Sequence, residues 1–205
     1  MVVLGLCGGS GSGKGEVCLI MSEVGIPAVD TDLVYRAITS SKSACLDALV
    51  EEFGDILDAE GKLDRKKLAA IVFAPGAEKQ LAALNRISHR YILDEVRVWL
   101  RHQEEQGIAV AVVDAPLLFE SGFNSECDAV IGVVADKQSR IGRIVSRDGI
   151  GKEAAEGRIR SQIPDSELVK LCDYIIENNG SREALRSEVL SVVDQILKNR
   201  GCRNE

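Results

Sequence analysis

The feature that most constrains the fold is the glycine-rich stretch GGSGSGKGE, which spans Gly8–Glu16 and follows directly on an apolar run. Gly8, Gly13 and Lys14 have the spacing G-x-x-x-x-G-K. Glycines in such a turn let backbone N–H groups close on phosphate oxygens, and a helix that begins at the lysine adds positive potential from its N-terminus. The strand–turn–helix context, the spacing and the lysine together predict a phosphate-binding loop.

The two residues that follow the loop lysine depart from the usual form of this loop. A Ser or Thr hydroxyl normally comes next and holds Mg²⁺, whereas this chain has Gly15 and then Glu16. A carboxylate about 4 Å from a phosphate charge costs on the order of 4 kcal/mol at an effective dielectric constant near 20. We therefore expect Glu16 to face solvent or to reach the metal through water, and a water to replace the missing hydroxyl.

Short β-branched runs alternate with longer helical patterns along the chain. Five runs are predicted to be strands, several of them apolar throughout as buried parallel strands are: Val2–Cys7, Pro27–Asp30, Val110–Asp114, Asp128–Val134 and Asp173–Glu177. Lys14–Val24 and Arg182–Lys198 have helical periodicity, and the second of these places apolar residues on one face: Leu185, Val189, Val193 and Ile196. The alternation predicts an α/β fold with a doubly wound parallel five-stranded sheet.

The segment between the second and third predicted strands is too long for a simple crossover. It contains roughly eighty residues and ends in a long helical pattern over Glu78–Gln106. Apolar residues lie on one side of that helix: Leu81, Leu84, Ile87 and Tyr91. The length favours a helical, substrate-binding insertion, although helices that merely enlarge the core are an alternative.

Composition narrows the range of partners and compartments. The formal net charge of −7 argues against a general nucleic-acid binder, which needs a basic surface. The six cysteines are scattered without a C-x-x-C pair, which favours reduced thiols in a cytoplasmic protein over disulfides or a zinc site. No apolar run approaches the roughly 18 residues of a membrane span, so we expect no membrane partner. The sequence implies no particular oligomeric state.

Carboxylates follow two of the predicted strands. Asp30 and Asp32 come after the second strand, at the carboxyl edge where ligands bind in such sheets. One of them can accept the proton of a hydroxyl that attacks a γ-phosphate, while the other caps a helix. Asp114 ends the run VAVVD and either holds a magnesium-bound water or simply ends the strand in a turn before Pro116.

One basic segment contrasts with the acidic composition. Arg140, Arg143 and Arg147 are spaced by three and four residues and share a helix face. The segment continues with Arg158 and Arg160. Charge runs usually form solvated faces, but next to a phosphate loop they favour a mobile lid whose guanidinium groups stabilise the charge of phosphoryl transfer.

The last predicted strand ends in a polar turn. Asn178 and Asn179 in this ENNGS turn can read an adenine edge, and a plain turn is the alternative.

The order of these motifs resembles the dephospho-CoA kinase family, a branch of the P-loop kinases, over nearly the whole chain. The departures from that family are Gly15-Glu16, where it has Ser-Thr, and Arg90, where a proline usually follows the histidine. The matching motifs are GLCGGSGSGKGEV, DTD with Arg36 behind it, FGDILDAEGKLDRKKLAAIVF, LNRISH, DAPLLFE, RIVSRDG and DYIIENNGS.

The resemblance implies ATP- and Mg²⁺-dependent phosphorylation of the ribose 3′-hydroxyl of dephospho-CoA, the last step of coenzyme A synthesis. Asp32 would be the catalytic base, with Lys14 and Arg143 also catalytic, and Arg36 and His89 would join Asp32 in binding the acceptor. Asp114 and Asp32 would hold the metal through water. The nucleotide would contact the loop, the lid and the turn after the last strand: Gly11, Ser12, Gly13, Lys14, Gly15, Glu16, Arg147, Asn178, Asn179 and Gly180.

The implied architecture is a single kinase domain of residues 1–205. It comprises a core of 1–35, 107–136 and 166–205, a helical acceptor-binding insertion of 36–106 and a lid of 137–165.

Two other functions stay open at this point. A nucleoside monophosphate kinase is one, because adenylate kinases also carry Gly after the loop lysine, although they lack the PLLFE and ENNG sequences. The other is a catalytically dead nucleotide-binding module, in which Gly15 and Glu16 arose after selection for turnover was lost. Retention of Lys14, Asp32 and Arg143 together weighs against it.

Overall fold

The computed structural model describes residues 1–201, and its strands form one five-stranded sheet in the order β2-β3-β1-β4-β5. β1 pairs in parallel with both β3 and β4, so that Leu4 lies opposite Val112 and Ala129. The strands are β1 (Val2–Cys7), β2 (Ala28–Asp30), β3 (Val110–Asp114), β4 (Ala129–Val134) and β5 (Tyr174–Glu177). Each begins within one residue of its predicted start and ends where predicted, so the α/β fold is confirmed.

The helices lie between the strands and after the last one. A short 3₁₀ helix, Phe123–Glu126, precedes β4. None of the helices in residues 1–201 is long and apolar enough to cross a lipid bilayer. The α-helices are α1 (Lys14–Glu23), α2 (Thr31–Thr39), α3 (Ala44–Phe53), α4 (Arg65–Val72), α5 (Glu78–Glu105), α6 (Lys137–Asp148), α7 (Lys152–Arg160), α8 (Asp165–Leu171) and α9 (Arg182–Gly201).

Side-chain caps explain where three of these helices begin. Asp30, Ser43 and Asp64 each accept backbone N–H groups of the first turn of α2, α3 and α4, respectively. Such residues satisfy N–H groups that have no partner within the helix. The helix starts in this part of the chain are therefore set locally.

The central strands share an apolar core with α1 and α9. Leu4 and Leu6 of β1 are fully buried because both faces of the strand are covered. The predicted apolar face of α9 is confirmed, since its four residues all lie in this core: Leu185, Val189, Val193 and Ile196. This core holds the end of β1, from which the phosphate-binding loop extends.

Residue contacts divide the chain into two compact units. The first consists of Met1–Ala28 and the residues from Gly107 onward, and the second is Val29–Gln106. The second unit contains the whole predicted insertion of residues 36–106 and has its own apolar core, against which three α5 residues pack: Leu84, Ile87 and Tyr91. The role of residues 36–106 in acceptor binding stays a prediction.

Candidate active site

The phosphate-binding loop joins β1 to α1. Gly13 is the N-cap of α1 with φ +101°, and a Cβ there would lie 2.0 Å from Asn178 Nδ2, so this position requires glycine. The Ser12 backbone N–H donates to Gly9 O at 3.1 Å and tightens the turn. The Ser12 hydroxyl is buried and has no hydrogen-bond partner within residues 1–201. A buried polar atom of this kind fits a loop whose ligand offers phosphate oxygens.

The Lys14 side chain folds back over the loop that precedes it. Its Nζ donates to Gly8 O at 3.1 Å and is 4.0 Å from Asp114 Oδ1. Cys18 of α1 lies near the same carboxylate, with Sγ 3.9 Å from Oδ2. Asp114 is opposite Leu6 in the pairing of β3 with β1, so the sheet itself brings the predicted lysine and carboxylate together.

The surroundings of Asp114 fit a magnesium ion that is held largely by water and by substrate phosphates. A Cβ added at Gly15 would have no neighbour within 4 Å, which leaves room for water where a hydroxyl would otherwise lie. Within residues 1–201, no group of three His, Cys, Asp or Glu side chains could enclose a metal. Mg²⁺ bound with a nucleotide keeps several waters and needs only one or two carboxylates, and Asp114 supplies one carboxylate beside Lys14.

Glu16 is bound by an arginine at the start of the last helix. Its Oε1 accepts a hydrogen bond from Arg182 Nε at 2.6 Å. Arg182 also pairs with Glu23, which in turn binds Arg186. The hydrogen bond from Arg182 lowers the pKa of the Glu23 carboxyl. The Glu16 side chain is thus 37% exposed and partly faces solvent, as one of the two expectations had it, and an ion-pair network between α1 and α9 that the sequence did not predict compensates its charge.

Arg143 and Asn178 fasten the loop to the end of β5. Arg143 Nη1 donates to the carbonyl oxygens of Gly11 and Ser12 at 3.2 and 3.1 Å, and Nη2 donates to Asn178 O at 2.8 Å. Asn178 is buried, and its Nδ2 donates to Ser12 O at 2.9 Å. The predicted lid arginine, the ENNGS turn and the phosphate loop therefore form one hydrogen-bonded group.

The turn after β5 borders a cavity of about 350 Å³ at the carboxyl ends of β4 and β5. Asn179 lines it, and Asn179 Oδ1 accepts a hydrogen bond from the Asp136 backbone N–H at 2.7 Å. Val134 and Ala135 add apolar surface to the lining. Gly180 follows in the same turn, and a Cβ there would lie 3.2 Å from Ala184 Cβ. This edge of a parallel sheet is where such folds bind ligands.

The other lid arginines are bound within the lid itself. Arg147 Nε donates to Asp148 Oδ1 at 2.7 Å, and Arg158 binds the same carboxylate. The hydrogen bond from Arg147, together with Arg158, lowers the pKa of Asp148 to about 2. Arg160 lies 3.8 Å from Glu156. The sequence predicts that Arg147 shares a helix face with Arg140 and Arg143. It lies one turn beyond them and forms an exposed ion pair instead of contacting the loop.

Arg140 and its partners contact the loop; the sequence grouped Arg140 with the lid arginines but did not assign Gln162 or Asp165 to the site. Arg140 is only 4% exposed, and its Nε donates to Ser10 O at 3.0 Å. Its Nη1 donates to Asp165 Oδ1 at 2.8 Å, and Gln162 Oε1 accepts from the Ser10 N–H at 2.8 Å. A buried guanidinium needs a partner carboxylate. The three-residue spacing of Arg140 and Arg143 was the available signal, but nothing local pointed to Asp165.

The predicted acceptor-binding residues lie in the second unit. Asp30 Oδ1 accepts the N–H groups of Asp32 and Leu33 at 2.8 and 3.2 Å. Asp30 is therefore the N-cap of α2. Asp32 does not cap the helix, and its exposed side chain lies in the first turn of α2. Arg36 is exposed on the same helix, and His89 is half-buried on α5, which packs against α2.

Sequence comparisons relate the chain to one family. The dephospho-CoA kinase family profile matches residues 2–184. A dephospho-CoA kinase of Corynebacterium glutamicum is 40% identical over 198 residues, which cover 96% of this chain and 98% of that protein. A dephospho-CoA kinase of Carboxydothermus hydrogenoformans is 36% identical over 194 residues, with coverage of 94% and 93%.

Comparisons of structure agree with the sequence matches. TT1252 from Thermus thermophilus superimposes with a TM-score of 0.79 at 28% identity, covering 94% of this chain and 95% of that one. Dephospho-CoA kinase from Campylobacter jejuni has a TM-score of 0.69 at 27% identity, with coverage of 97% and 98%. The shikimate kinase of Acinetobacter baumannii, at 18% identity and a TM-score of 0.57, shares the fold alone. The chain belongs to the dephospho-CoA kinase family.

Proposed function

We propose that this chain transfers the γ-phosphate of ATP to the ribose 3′-hydroxyl of dephospho-CoA, the last step of coenzyme A synthesis. The observation that carries the proposal is the phosphate-binding loop, in which Lys14 Nζ lies 4.0 Å from Asp114 Oδ1 and Arg143 binds the loop carbonyls. Family membership supports the choice of acceptor.

On the nucleotide side, the backbone N–H groups of Gly11, Ser12 and Gly13 bind phosphate oxygens at the N-terminus of α1. Lys14 exchanges its hydrogen bond with Gly8 O for the β- and γ-phosphates. The adenine lies beside the Asn178–Gly180 turn, where the cavity at the ends of β4 and β5 offers apolar surface and amide groups.

Asp114 would hold Mg²⁺ through water in the first unit, and the water-mediated contribution of Asp32 stays a prediction from the family resemblance. The metal would neutralise charge on the phosphates as the bond to the leaving group breaks. Arg143 supplies positive charge from the lid as negative charge develops on the transferred group.

On the acceptor side, Asp32 accepts the proton of the 3′-hydroxyl as its oxygen attacks the γ-phosphate. Arg36 provides a cation for the acceptor's phosphate groups, and His89 a hydrogen bond.

A coupled ADP-release assay tests the function with dephospho-CoA, AMP or no acceptor. We expect acceptor-dependent ADP release with dephospho-CoA alone. Release with AMP but not with dephospho-CoA would show a nucleoside monophosphate kinase. Nucleotide binding without release for any acceptor would show a module without turnover, and either result would overturn the proposal.

Substitution of Asp32 tests the assignment of the base. Asp32→Asn should lower kcat by about two to four orders of magnitude while leaving ATP affinity nearly unchanged, because the amide cannot accept the proton. Asp30→Asn is the control: the amide oxygen can still cap α2, since Asn caps a helix about as well as Asp, so turnover should stay nearly unchanged. Near-normal turnover in Asp32→Asn with an inactive Asp30→Asn would reverse the assignment.

A further inference from the structure

Two thiols meet at the end of the strand that leads into the phosphate-binding loop. Cys7 Sγ and Cys172 Sγ are 3.5 Å apart, although the residues are 165 positions apart in the chain. Cys7 is the last residue of β1 and directly precedes Gly8, while Cys172 lies between α8 and β5. The contact therefore joins the base of the loop to the segment that follows the lid.

A glycine in the strand between them makes room for this contact. Gly132 of β4 pairs with Cys7 on one side and with Ile175 of β5 on the other. A Cβ at position 132 would lie 2.8 Å from Cys172 Sγ and 3.4 Å from Cys172 Cβ. The absence of a side chain on the middle strand thus lets the Cys172 sulfur approach Cys7.

The two thiols differ in exposure and in acidity. Cys7 is 2% exposed, whereas Cys172 is only partly buried. The hydrogen bond between them raises the pKa of Cys7 and lowers that of Cys172. The thiolate is the reactive form of cysteine, so Cys172 is suited to attack and Cys7 to resolve. Cys45 offers a contrast, since burial raises its pKa to about 11.

We propose that Cys7 and Cys172 form a thiol–disulfide exchange site for low-molecular-weight disulfides, and that the resulting bond weakens nucleotide binding. The Cys172 thiolate attacks one sulfur of the small disulfide, whose S–S bond breaks, and the other half leaves and takes up a proton. Cys7 then loses its proton and attacks the Cys172 sulfur, which releases the second half as a thiol. Two protein thiols are oxidised and one small disulfide is reduced to two thiols.

The position of Cys7 connects this reaction to the loop. A disulfide joins its sulfurs at about 2.05 Å, so the two must approach from 3.5 Å. β1 is paired on both sides, which restrains Cys7 within the sheet, and part of the adjustment falls on Gly8. Gly8 O accepts the hydrogen bond of Lys14, and a Cβ on Gly8 would lie 2.5 Å from Val133 O, so the loop has little space to adapt. Bound nucleotide should in turn oppose oxidation, because the coupling is reciprocal.

The full chain is tested in a Cys202→Ser background, which removes a competing thiol outside the described residues. After equilibration in glutathione and glutathione disulfide buffers, peptide mapping by mass spectrometry quantifies the Cys7–Cys172 link. Titration with a fluorescent ATP analogue measures affinity. We expect the link to form, affinity to fall by at least about threefold, and dithiothreitol to restore it. This binding readout needs no acceptor, so failure of the proposed kinase activity would not be mistaken for failure of this site.

Single cysteine variants separate the attack by Cys172 from the resolution by Cys7. Cys172→Ser should retain nucleotide affinity and become insensitive to the disulfide buffer, whereas Cys45→Ser should remain as sensitive as its parent. Cys7→Ala should accumulate a mixed disulfide with glutathione at Cys172. Absence of the Cys7–Cys172 link in protein that circular dichroism shows to be folded would overturn the site. A link that leaves affinity unchanged would overturn its effect on the loop.

Discussion

At Gly15 and Glu16 the loop departs from the Lys-Ser-Thr form, and the structure places the compensation elsewhere in the chain. The space around Gly15 admits water, and Arg182 binds the Glu16 carboxylate at 2.6 Å. An exposed ion pair of this kind contributes little to stability. Its effect should instead fall on the nucleotide, because an uncompensated carboxylate in the first turn of α1 repels phosphate.

Removal of Arg182 should therefore weaken nucleotide binding through Glu16. We expect Arg182→Ala to raise the KM for ATP by about three- to tenfold, and Glu16→Thr in the same chain to reverse most of that increase. Arg186→Ala is the matched control, because Arg186 binds Glu23 and not Glu16. Steady-state kinetics on the natural chain, Arg182→Ala, Glu16→Thr and the double variant give the coupling. A KM that stays raised in the double variant would mean that Arg182 acts on the fold rather than on the charge.

Restoring the hydroxyl after the lysine should change the use of magnesium. Gly15→Ser is expected to tighten apparent magnesium affinity by about tenfold, or roughly 1.4 kcal/mol, because the hydroxyl replaces a bound water. Gly15→Ala is the control, since it fills the same open space without an oxygen. The measurement is a magnesium titration of the initial rate. The prediction would be contradicted if the natural chain showed no turnover at any magnesium concentration while the double variant Gly15→Ser with Glu16→Thr did. The natural loop would then bind nucleotide without supporting phosphoryl transfer.

At the scale of elements, α6 acts as the support of the phosphate loop. One face of α6 packs on α7 through a small apolar cluster, and another carries Arg140 and Arg143 to the loop carbonyls. Arg140 is buried while its partner Asp165 is partly exposed, and this pair fixes the helix more firmly than an exposed pair would, because loss of Asp165 would leave the buried guanidinium without compensation. Helix α6, which begins the predicted lid, is thus hydrogen-bonded directly to the loop.

The role of Arg143 can be determined from whether its removal lowers kcat or ATP affinity more. We expect Arg143→Ala to lower kcat more than ATP affinity, because its contact strengthens as charge develops on the transferred phosphate. Hydrogen exchange over residues 140–160 should slow when a bisubstrate analogue is added. Arg160→Ala, which removes an exposed arginine of the same lid, is the control. Equal losses in kcat and affinity would make Arg143 a positioning residue for the loop, as its present hydrogen bonds allow.

At the scale of the whole molecule, two apolar cores support two compact units. Leu49 is fully buried in the core of the second unit, and Leu185 is buried in the core of the sheet. Because each unit packs around its own core, damage to one core should act first on the function of that unit. Under the proposed assignment of acceptor binding to the second unit, variants of the two cores test acceptor binding and nucleotide binding separately.

Leu49→Ala should loosen the second unit while the phosphate loop stays intact. We expect a local cost of about 2–5 kcal/mol, faster hydrogen exchange within residues 29–106 and a higher KM for dephospho-CoA, with the affinity for an ATP analogue retained. Leu185→Ala, the same change in the other core, should show the opposite pattern. Faster exchange over residues 8–14 in Leu49→Ala would contradict the separation.

The sequence by itself determined the sheet, its strand bounds and the phosphate loop. These features depend on patterns within about ten residues, namely apolar runs, helical periodicity and the glycine–lysine spacing. It also determined the long helix of the insertion and the buried face of α9, because a helical period shows which side of an element is covered.

Only the tertiary structure decided which side chains meet. Arg182 with Glu16, Arg140 with Asp165 and Cys7 with Cys172 are pairs separated by 166, 25 and 165 positions. A periodic pattern shows that a residue is buried or exposed, but it does not show which residue lies opposite. Hydrogen bonds and ion pairs form within about 3 Å, so they depend on how whole elements pack and on the direction of each side chain. Compensation of the Glu16 charge could therefore be read only from the folded chain.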